Sequence, residues 1–349
     1  MNVTQRPVTA PVTFRHPAPQ APRTRIWPAF IPFAGCPFRC VYCAQNEITG
    51  QRTEQFETVY DNLARGLNNA LKKSTNSLEL AFYGGTFTAL PEEWIARFLA
   101  LARTFRDRGL ITRVRCSTRP DAVTPELLAR LRSMGLDMVE LGIQSFDDTA
   151  LAATGRGYSG DTARRACDNV LASGLSLGVQ LMPGLPGHTA DAFAADIRTA
   201  CALAPEAARL YPCVVLAHTP LAARWKRGDY TPWTLDRTID ALAPALLDLW
   251  AANIHIIRIG LAPEQDMQDA ILDGPWHPAM GQLARSRALF LHISRRIAEL
   301  NHAPTHLVCP RRFQSDLLGH ANSMRDAYAH IGLPADAITF EDTNTFTLR

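Results

Sequence analysis

From residue 26 onward the chain alternates short apolar runs with longer stretches whose apolar residues recur every three to four positions. The runs at 26–33, 78–83, 113–117, 138–141, 176–182 and 207–211 predict β-strands. The amphipathic stretches at 57–71, 92–106, 125–134, 162–173 and 190–202 predict helices between them. Helix ends carry matching punctuation. Thr124 precedes Pro125-Glu126, where proline suits a first turn, and Gly135 and Gly174 stand where helices stop. Regular alternation of strand and helix predicts a parallel sheet built from right-handed βαβ units. Six such units predict an α/β fold, a partial (β/α)6 TIM-type barrel, in which chemistry collects on loops at the carboxyl ends of the strands. A longer helix at 235–250 and an apolar run at 254–259 complete this region, which is expected to occupy residues 26–260.

The two ends read differently. Residues 1–25 contain Pro7, Pro11, Pro17, Pro19 and Pro22, four arginines and no acidic residue. Repeated proline fixes φ and removes donors, so an extended, flexible arm is expected. Residues 261–349 predict a small α+β extension: a loop at Gly274-Pro275-Trp276-His277-Pro278, a helix at 281–300, and a strand–helix–strand pattern at 306–309, 313–330 and 338–340. Two roles suit that extension, an element packing on the open side of the barrel or a substrate- or RNA-binding appendage.

Composition changes this picture little. The chain has 349 residues, 47% apolar and 20% charged, as in a soluble globular protein. A net charge of +3 is too small to argue a nucleic-acid partner by itself. Only Lys72, Lys73 and Lys226 among the 36 basic residues are lysines. An arginine excess suits phosphate recognition, but genomic base composition explains it more simply. No apolar run reaches the length of a membrane span, and no signal-peptide core is present. Cys116, Cys167, Cys201, Cys213 and Cys309 lie far apart and read as small buried hydrophobes, which points to a reducing cytosol.

The remaining three cysteines carry the chemistry. Cys36, Cys40 and Cys43 stand at a Cys-x3-Cys-x2-Cys spacing directly after the first apolar run. Three thiolates on one loop can hold three irons of a cubane iron–sulfur cluster, and the fourth iron then stays open to a small molecule. Structural zinc prefers a closed shell of four ligands, often as two pairs, and a disulfide would leave one of the three cysteines unpaired. Polar or glycine-rich residues then end each strand in turn: Gly84-Gly85-Thr86, Ser117 to Asp121, Gly142-Ile143-Gln144-Ser145, Leu181 to Gly187, and Tyr211-Pro212, with Gly155-Arg156-Gly157-Tyr158 before a helix. Any one of these reads as an ordinary turn. Together they supply carbonyl acceptors, a carboxylate partner, hydroxyl partners and an apolar slot, the needs of a zwitterionic ligand that carries a ribose and a base.

These segments resemble the radical S-adenosylmethionine (SAM) enzymes, and within them the catalytic subunit of the Elongator complex, over roughly residues 26–260. The resemblance is carried by 36–43, 84–87, 117–121, 139–145, 156–158, 182–186 and 210–212. It implies a 4Fe–4S cluster on Cys36, Cys40 and Cys43 whose open iron chelates S-adenosylmethionine. One electron, from a donor such as flavodoxin or ferredoxin, would then leave methionine and a 5′-deoxyadenosyl radical that abstracts hydrogen from substrate. It implies that Gly84, Gly85 and Thr86 receive the methionine ammonium, Arg156 its carboxylate and Gln144 the ribose. Tyr211 and Pro212 would flank the adenine, and Tyr42 would lie over the cluster. Ser117 stands where relatives often carry glutamate and Gln180 where they carry an acid or histidine, which implies altered ribose contacts. The last ninety or so residues do not match the acetyltransferase domain of the Elongator subunit. Gly274-Pro275-Trp276-His277-Pro278-Ala279 instead matches short Elongator-like bacterial proteins, a likeness that assigns no reaction.

Three functional expectations follow. The first is a radical-generating enzyme acting on an unidentified substrate, for which family analogy suggests RNA, with Arg119 and His277 as candidate substrate residues. The second is a relative of oxygen-independent coproporphyrinogen oxidase acting on a tetrapyrrole. The third is a non-catalytic iron–sulfur scaffold or electron carrier, with His16 or His277 as a fixed fourth ligand.

Overall fold

The computed structural model describes residues 11–20, 24–31, 36, 40–44, 56–73, 76–261, 265–300 and 302–349. Residues 1–10 and 21–23 of the expected arm, 32–33 of the first expected strand and 37–39 of the cysteine motif lie outside the described residues. The strands are β1 (Val12–Phe14), β2 (Arg25–Ile31), β3 (Leu78–Gly84), β4 (Ile111–Thr118), β5 (Met138–Gln144), β6 (Ser176–Leu181), β7 (Ala207–Leu210), β8 (Val215–Leu216), β9 (His255–Ile259), β10 (Ile271–Asp273), β11 (Leu307–Pro310), β12 (Ile338–Glu341) and β13 (Phe346–Leu348).

Seven strands form one all-parallel sheet in the order β2-β3-β4-β5-β6-β7-β9, a curled half-barrel of the partial TIM type. From β3 to β7 spatial order follows chain order, with helices on each return between consecutive strands. Alternation along a strand sends successive side chains to opposite faces. Leu78, Leu80 and Phe82 face the outer helices, where Phe82 meets Phe98 at 5.5 Å between ring centroids. Phe98, Leu99 and Phe105 of the helix Glu92–Asp107 are buried there, each contributing about 1.5–3 kcal/mol. Thr124 accepts from the Leu127 amide to start the helix Pro125–Ser133, and Gly135 ends that turn at φ +97°.

A second compact unit gathers residues 11–19, 239–253 and 279–349. Its four-stranded sheet runs β1-β13-β11-β12, with only β11 and β12 parallel. Two expectations are corrected here. Within the expected flexible arm, Val12–Phe14 is a strand paired with Phe346–Leu348, and Phe14 stacks on Phe346 at 5.2 Å. The expected helix at 313–330 is two helices, Gln314–Leu318 and Arg325–His330. Gly319, Ala321 and Asn322 take left-handed φ between them, which no continuous helix tolerates.

His16, a candidate fourth cluster ligand, is a packing residue in this unit. Its ring stacks on Phe313 at 4.2 Å and its Nδ1 accepts from the Ala18 amide. Burial, reinforced by His292, Arg285 and Arg312, lowers its pKa from 6.5 to about 4. Burial, with Arg296 and Arg295, lowers that of His292 to about 4 as well. Between these values and 6.5 the unfolded chain binds more protons than the fold, so stability falls as pH drops through that window. Calorimetric melts are expected to show the transition falling by roughly 5 °C between pH 6.5 and 4.5. A double variant His16→Phe, His292→Phe is expected to flatten that dependence, and an equally steep curve would contradict the assignment.

Candidate active site

The half-barrel brings strand ends together at one mouth. At the end of β3, Gly84 has φ +113°, and a Cβ there would stand 2.5 Å from the Ile31 carbonyl oxygen of β2. The Gly85 amide donates to that same oxygen at 2.9 Å. Glycine at position 84 is therefore required by the neighbouring strand's backbone. Thr86 is fully buried, and its Oγ1 lies 3.2 Å from the Cys36 Sγ. Gly85, Thr86 and Ser117 line one small cleft together with Ile31, Tyr83 and Phe87.

At the end of β5, Gln144 is buried in a left-handed conformation, φ +70°, which is uncommon for a residue with a side chain. Its surroundings hold it there. Gln180 Nε2 donates to its side-chain oxygen at 3.1 Å, and the Met182 amide donates to its carbonyl at 2.8 Å. The following turn is clamped by Asp196, which accepts from Ser145 Oγ and the Phe146 amide at 2.7 Å each. His188 Nε2 lies 3.2 Å from the same carboxylate.

Arg156 occupies the centre of the mouth and is 5% exposed. Its Nη1 reaches Cys40 Sγ at 3.1 Å and the Tyr42 hydroxyl at 3.3 Å. Its Nε donates to the Tyr158 hydroxyl at 2.8 Å, and its Nη2 donates to the Gly142 carbonyl. Among the described residues no carboxylate pairs with it. Burial pushes Tyr158 up to about 12 and raises Tyr42 well above its usual value, so both hydroxyls keep their protons near neutrality. Arg119, expected as a substrate residue, is instead buried against Asp121, and its Nη1 stands 4.0 Å from Cys40 Sγ.

The expected site residues are thus partly assembled. The contacts above join Cys36 to Thr86, Cys40 to Arg156 and Gln144 to Gln180. Tyr211 follows β7, with its hydroxyl accepting from Arg209 Nη1 at 3.1 Å, and Pro212 beside it is buried. The Cys43 amide donates to the Cys40 carbonyl at 3.0 Å. Cys36, Cys40 and Cys43 are free of disulfides, yet among the described residues no three Cys, His, Asp or Glu side chains group as a metal shell. His277 is half-buried.

Sequence reasoning missed an ionic layer inside the half-barrel. Arg115 of β4 pairs with Glu79 of β3 and, at 3.3 Å, with Glu140 of β5. Glu140 also accepts from Arg209 Nε of β7 at 2.6 Å and from the Tyr83 hydroxyl at 3.2 Å. Burial first, then the Glu140 charge, raises Tyr83 above its usual pKa. The available signal was polar residues at alternate positions of otherwise apolar strands, which in a parallel sheet mark a lined interior. A polar cleft of about 640 Å³ opens near the amino ends of the strands. Its arginines are already hydrogen-bonded, Arg106 to Asp137, Arg113 to Glu206 and Arg132 to the Ser173 carbonyl.

The radical SAM superfamily domain matches residues 30–200, and the radical SAM C-terminal domain matches residues 205–289. The chain belongs to the radical SAM superfamily; it is a radical SAM enzyme, whose cofactors are a 4Fe–4S cluster and S-adenosylmethionine. It is 28% identical over 206 residues to the tRNA uridine(34) acetyltransferase of Methanocaldococcus infernus, covering 53% of this chain and 39% of that protein. Its fold is similar to archaeal Methanocaldococcus infernus Elp3 with an N-terminal deletion, at TM-score 0.59 and 20% identity over 78% of this chain and 63% of that one. It is also similar to coproporphyrinogen III oxidase from Escherichia coli, at TM-score 0.50 and 21% identity over 68% and 54%. At these identities the structural likeness is one of fold. The chain spans less than two thirds of the length of each of these relatives. No helix among the described residues is long and apolar enough to cross a membrane.

The residues at the mouth fit these cofactors. No disulfide joins the three cysteines, as cluster ligation requires. The buried Arg156 guanidinium has no carboxylate partner among the described residues and lies against Cys40, an arrangement that an anionic cluster or an incoming carboxylate would neutralise.

Proposed function

We propose that the chain uses its cluster and S-adenosylmethionine to abstract hydrogen from an RNA substrate. When bound, the two cofactors supply one-electron reductive cleavage to methionine and a 5′-deoxyadenosyl radical. Cys36, Cys40 and Cys43 hold the cluster. The backbone of Gly84, Gly85 and Thr86 receives the ammonium, and Arg156 receives the carboxylate. Ser117, Gln144 and Gln180 face the ribose hydroxyls, and Tyr211 and Pro212 flank the adenine. The protonated Tyr42 and Tyr158 hydroxyls keep Arg156 in place while the buried mouth keeps water from a reactive carbon.

The observation that carries this reading is the contact of the buried Arg156 guanidinium with Cys40, which joins the cysteine loop to the segment after β5. RNA as substrate is supported by the tRNA-modifying relative, which is an analogy of family and not of site. The expected result is 5′-deoxyadenosine from anaerobically reconstituted protein given dithionite and S-adenosylmethionine, with formation stimulated by bulk tRNA and not by coproporphyrinogen. Fully iron-loaded protein that forms none overturns the radical reading, and stimulation by the porphyrinogen alone overturns the choice of RNA.

A further inference from the structure

We infer that Asp196 is a positioning residue for S-adenosylmethionine: its buried carboxylate ties the turn after β5 to the loop after β6 and so fixes the pose in which Gln144 meets the ribose. The inference rests on the reading of Gln144 as a ribose contact.

The helix Ala190–Leu203 buries Phe193, Asp196, Ile197 and Ala200 along one face, so a carboxylate stands inside an apolar stripe. At 2% exposure such a group is costly unless hydrogen bonds satisfy it. Both of its oxygens are used. Oδ1 accepts from the Phe146 amide and Oδ2 from Ser145 Oγ, at 2.7 Å each. Ser145 Oγ in turn accepts from the Asp147 amide at 3.0 Å. His188, in the loop after β6, brings its Nε2 within 3.2 Å of Oδ2, and its side chain is fully buried. One carboxylate thus joins the ends of β5 and β6, the strands that carry Gln144 and Gln180.

The residue it secures is a strained one. Gln144, at φ +70°, stands immediately before Ser145, in a region that a side chain disfavours. This turn lays the Gln144 amide against Gly142, where an added Cβ would stand 3.0 Å from Gln144 Nε2 and 3.8 Å from Arg156 Nη2. The amide therefore lies beside the guanidinium assigned to the ligand carboxylate. Gln180 Nε2 donates to the Gln144 side-chain oxygen at 3.1 Å. That bond orients the Gln144 amide with its nitrogen as the donor offered to a ribose hydroxyl oxygen. Release of the turn to negative φ would carry the amide away from this position, and binding would then have to restore it.

The test is anaerobic equilibrium binding of S-adenosylmethionine to reconstituted protein without reductant, so no turnover enters the readout. Asp196→Asn keeps the size of the side chain but turns an amide toward neighbours that donate. It is expected to raise Kd about tenfold, as the competent pose becomes a minor population. In a Gln144→Ala background the same substitution is expected to change Kd by less than about twofold, because the two residues act through one another. A wild-type Kd in iron-replete Asp196→Asn overturns the inference. So does an equal loss in both backgrounds, which would make Asp196 a general support of the fold. Should Asp196→Asn fail to fold or to hold its cluster, Ser145→Ala decides. It removes one hydrogen bond to the carboxylate and is expected to raise Kd about threefold, again only where Gln144 is present. Wild-type affinity in Ser145→Ala, or an equal loss without Gln144, overturns the inference. The parent reading fails separately, if Gln144→Ala alone binds S-adenosylmethionine with wild-type affinity.

Discussion

Cys40→Ala is expected to reduce 5′-deoxyadenosine formation by at least a factor of about 10³, equivalent to roughly 4 kcal/mol or more in the barrier. The expectation follows from two consequences of one substitution. A cubane held by three thiolates loses a ligand, and Arg156 loses the sulfur that its Nη1 contacts at 3.1 Å. Among the described residues the guanidinium is then left buried with the Gly142 carbonyl and two tyrosine hydroxyls. Iron content after reconstitution should fall alongside the product. Cys201→Ala is the matched control, because Cys201 sits in the helix Ala190–Leu203 and belongs to none of the strand ends at the mouth. Equal loss in the control would mean that thiol number, and not the Cys40 position, governs cluster retention.

The largest stability effect is expected at Glu140. It is 3% exposed and accepts from Arg115, Arg209 and Tyr83. Glu79 and Glu140 balance Arg115 and Arg209, so removing one carboxylate leaves a buried uncompensated cation. Breaking a buried pair from one side costs about 3–5 kcal/mol. Glu140→Ala should show that loss in urea denaturation, and Glu140→Gln a smaller one, since its amide oxygen can still accept from Arg209. A loss under about 1 kcal/mol in Glu140→Ala would mean that the layer is solvated rather than sealed. Arg209 connects this layer to the Tyr211 hydroxyl, so the substitution is also expected to disturb the mouth.

The half-barrel was legible because each of its strands is a local apolar run and each return is a local amphipathic helix. The apolar run at 254–259 became the edge strand β9, His255–Ile259, with little change in bounds. What was not legible depends on distant partners. Val12–Phe14 lies among prolines and gains its strand only from Phe346–Leu348, at the other end of the chain. Glu79, Arg115, Glu140 and Arg209 each read as an isolated charge, and their pairing depends on the register of the sheet from β3 to β7, with Arg209 reaching Glu140 across β6. At the mouth, the cysteine spacing and the Gly84-Gly85-Thr86 turn announced themselves. The demand on Gly84 did not come from a ligand, however, but from the Ile31 carbonyl of the neighbouring strand. Arg119 read as a group facing substrate because nothing local indicates that Asp121, two residues on, folds back to hold it against Cys40.

The outer strand β2 contains Pro28 in its middle, opposite Ala81 of β3. Proline lacks the amide hydrogen that a ladder of hydrogen bonds needs at every rung, and it is tolerated in sheets chiefly at such margins. An incoming strand, from another copy or from an unfolded chain, therefore meets a broken template along β2. At this margin the sheet is guarded against edge-to-edge growth by its own covalent chemistry.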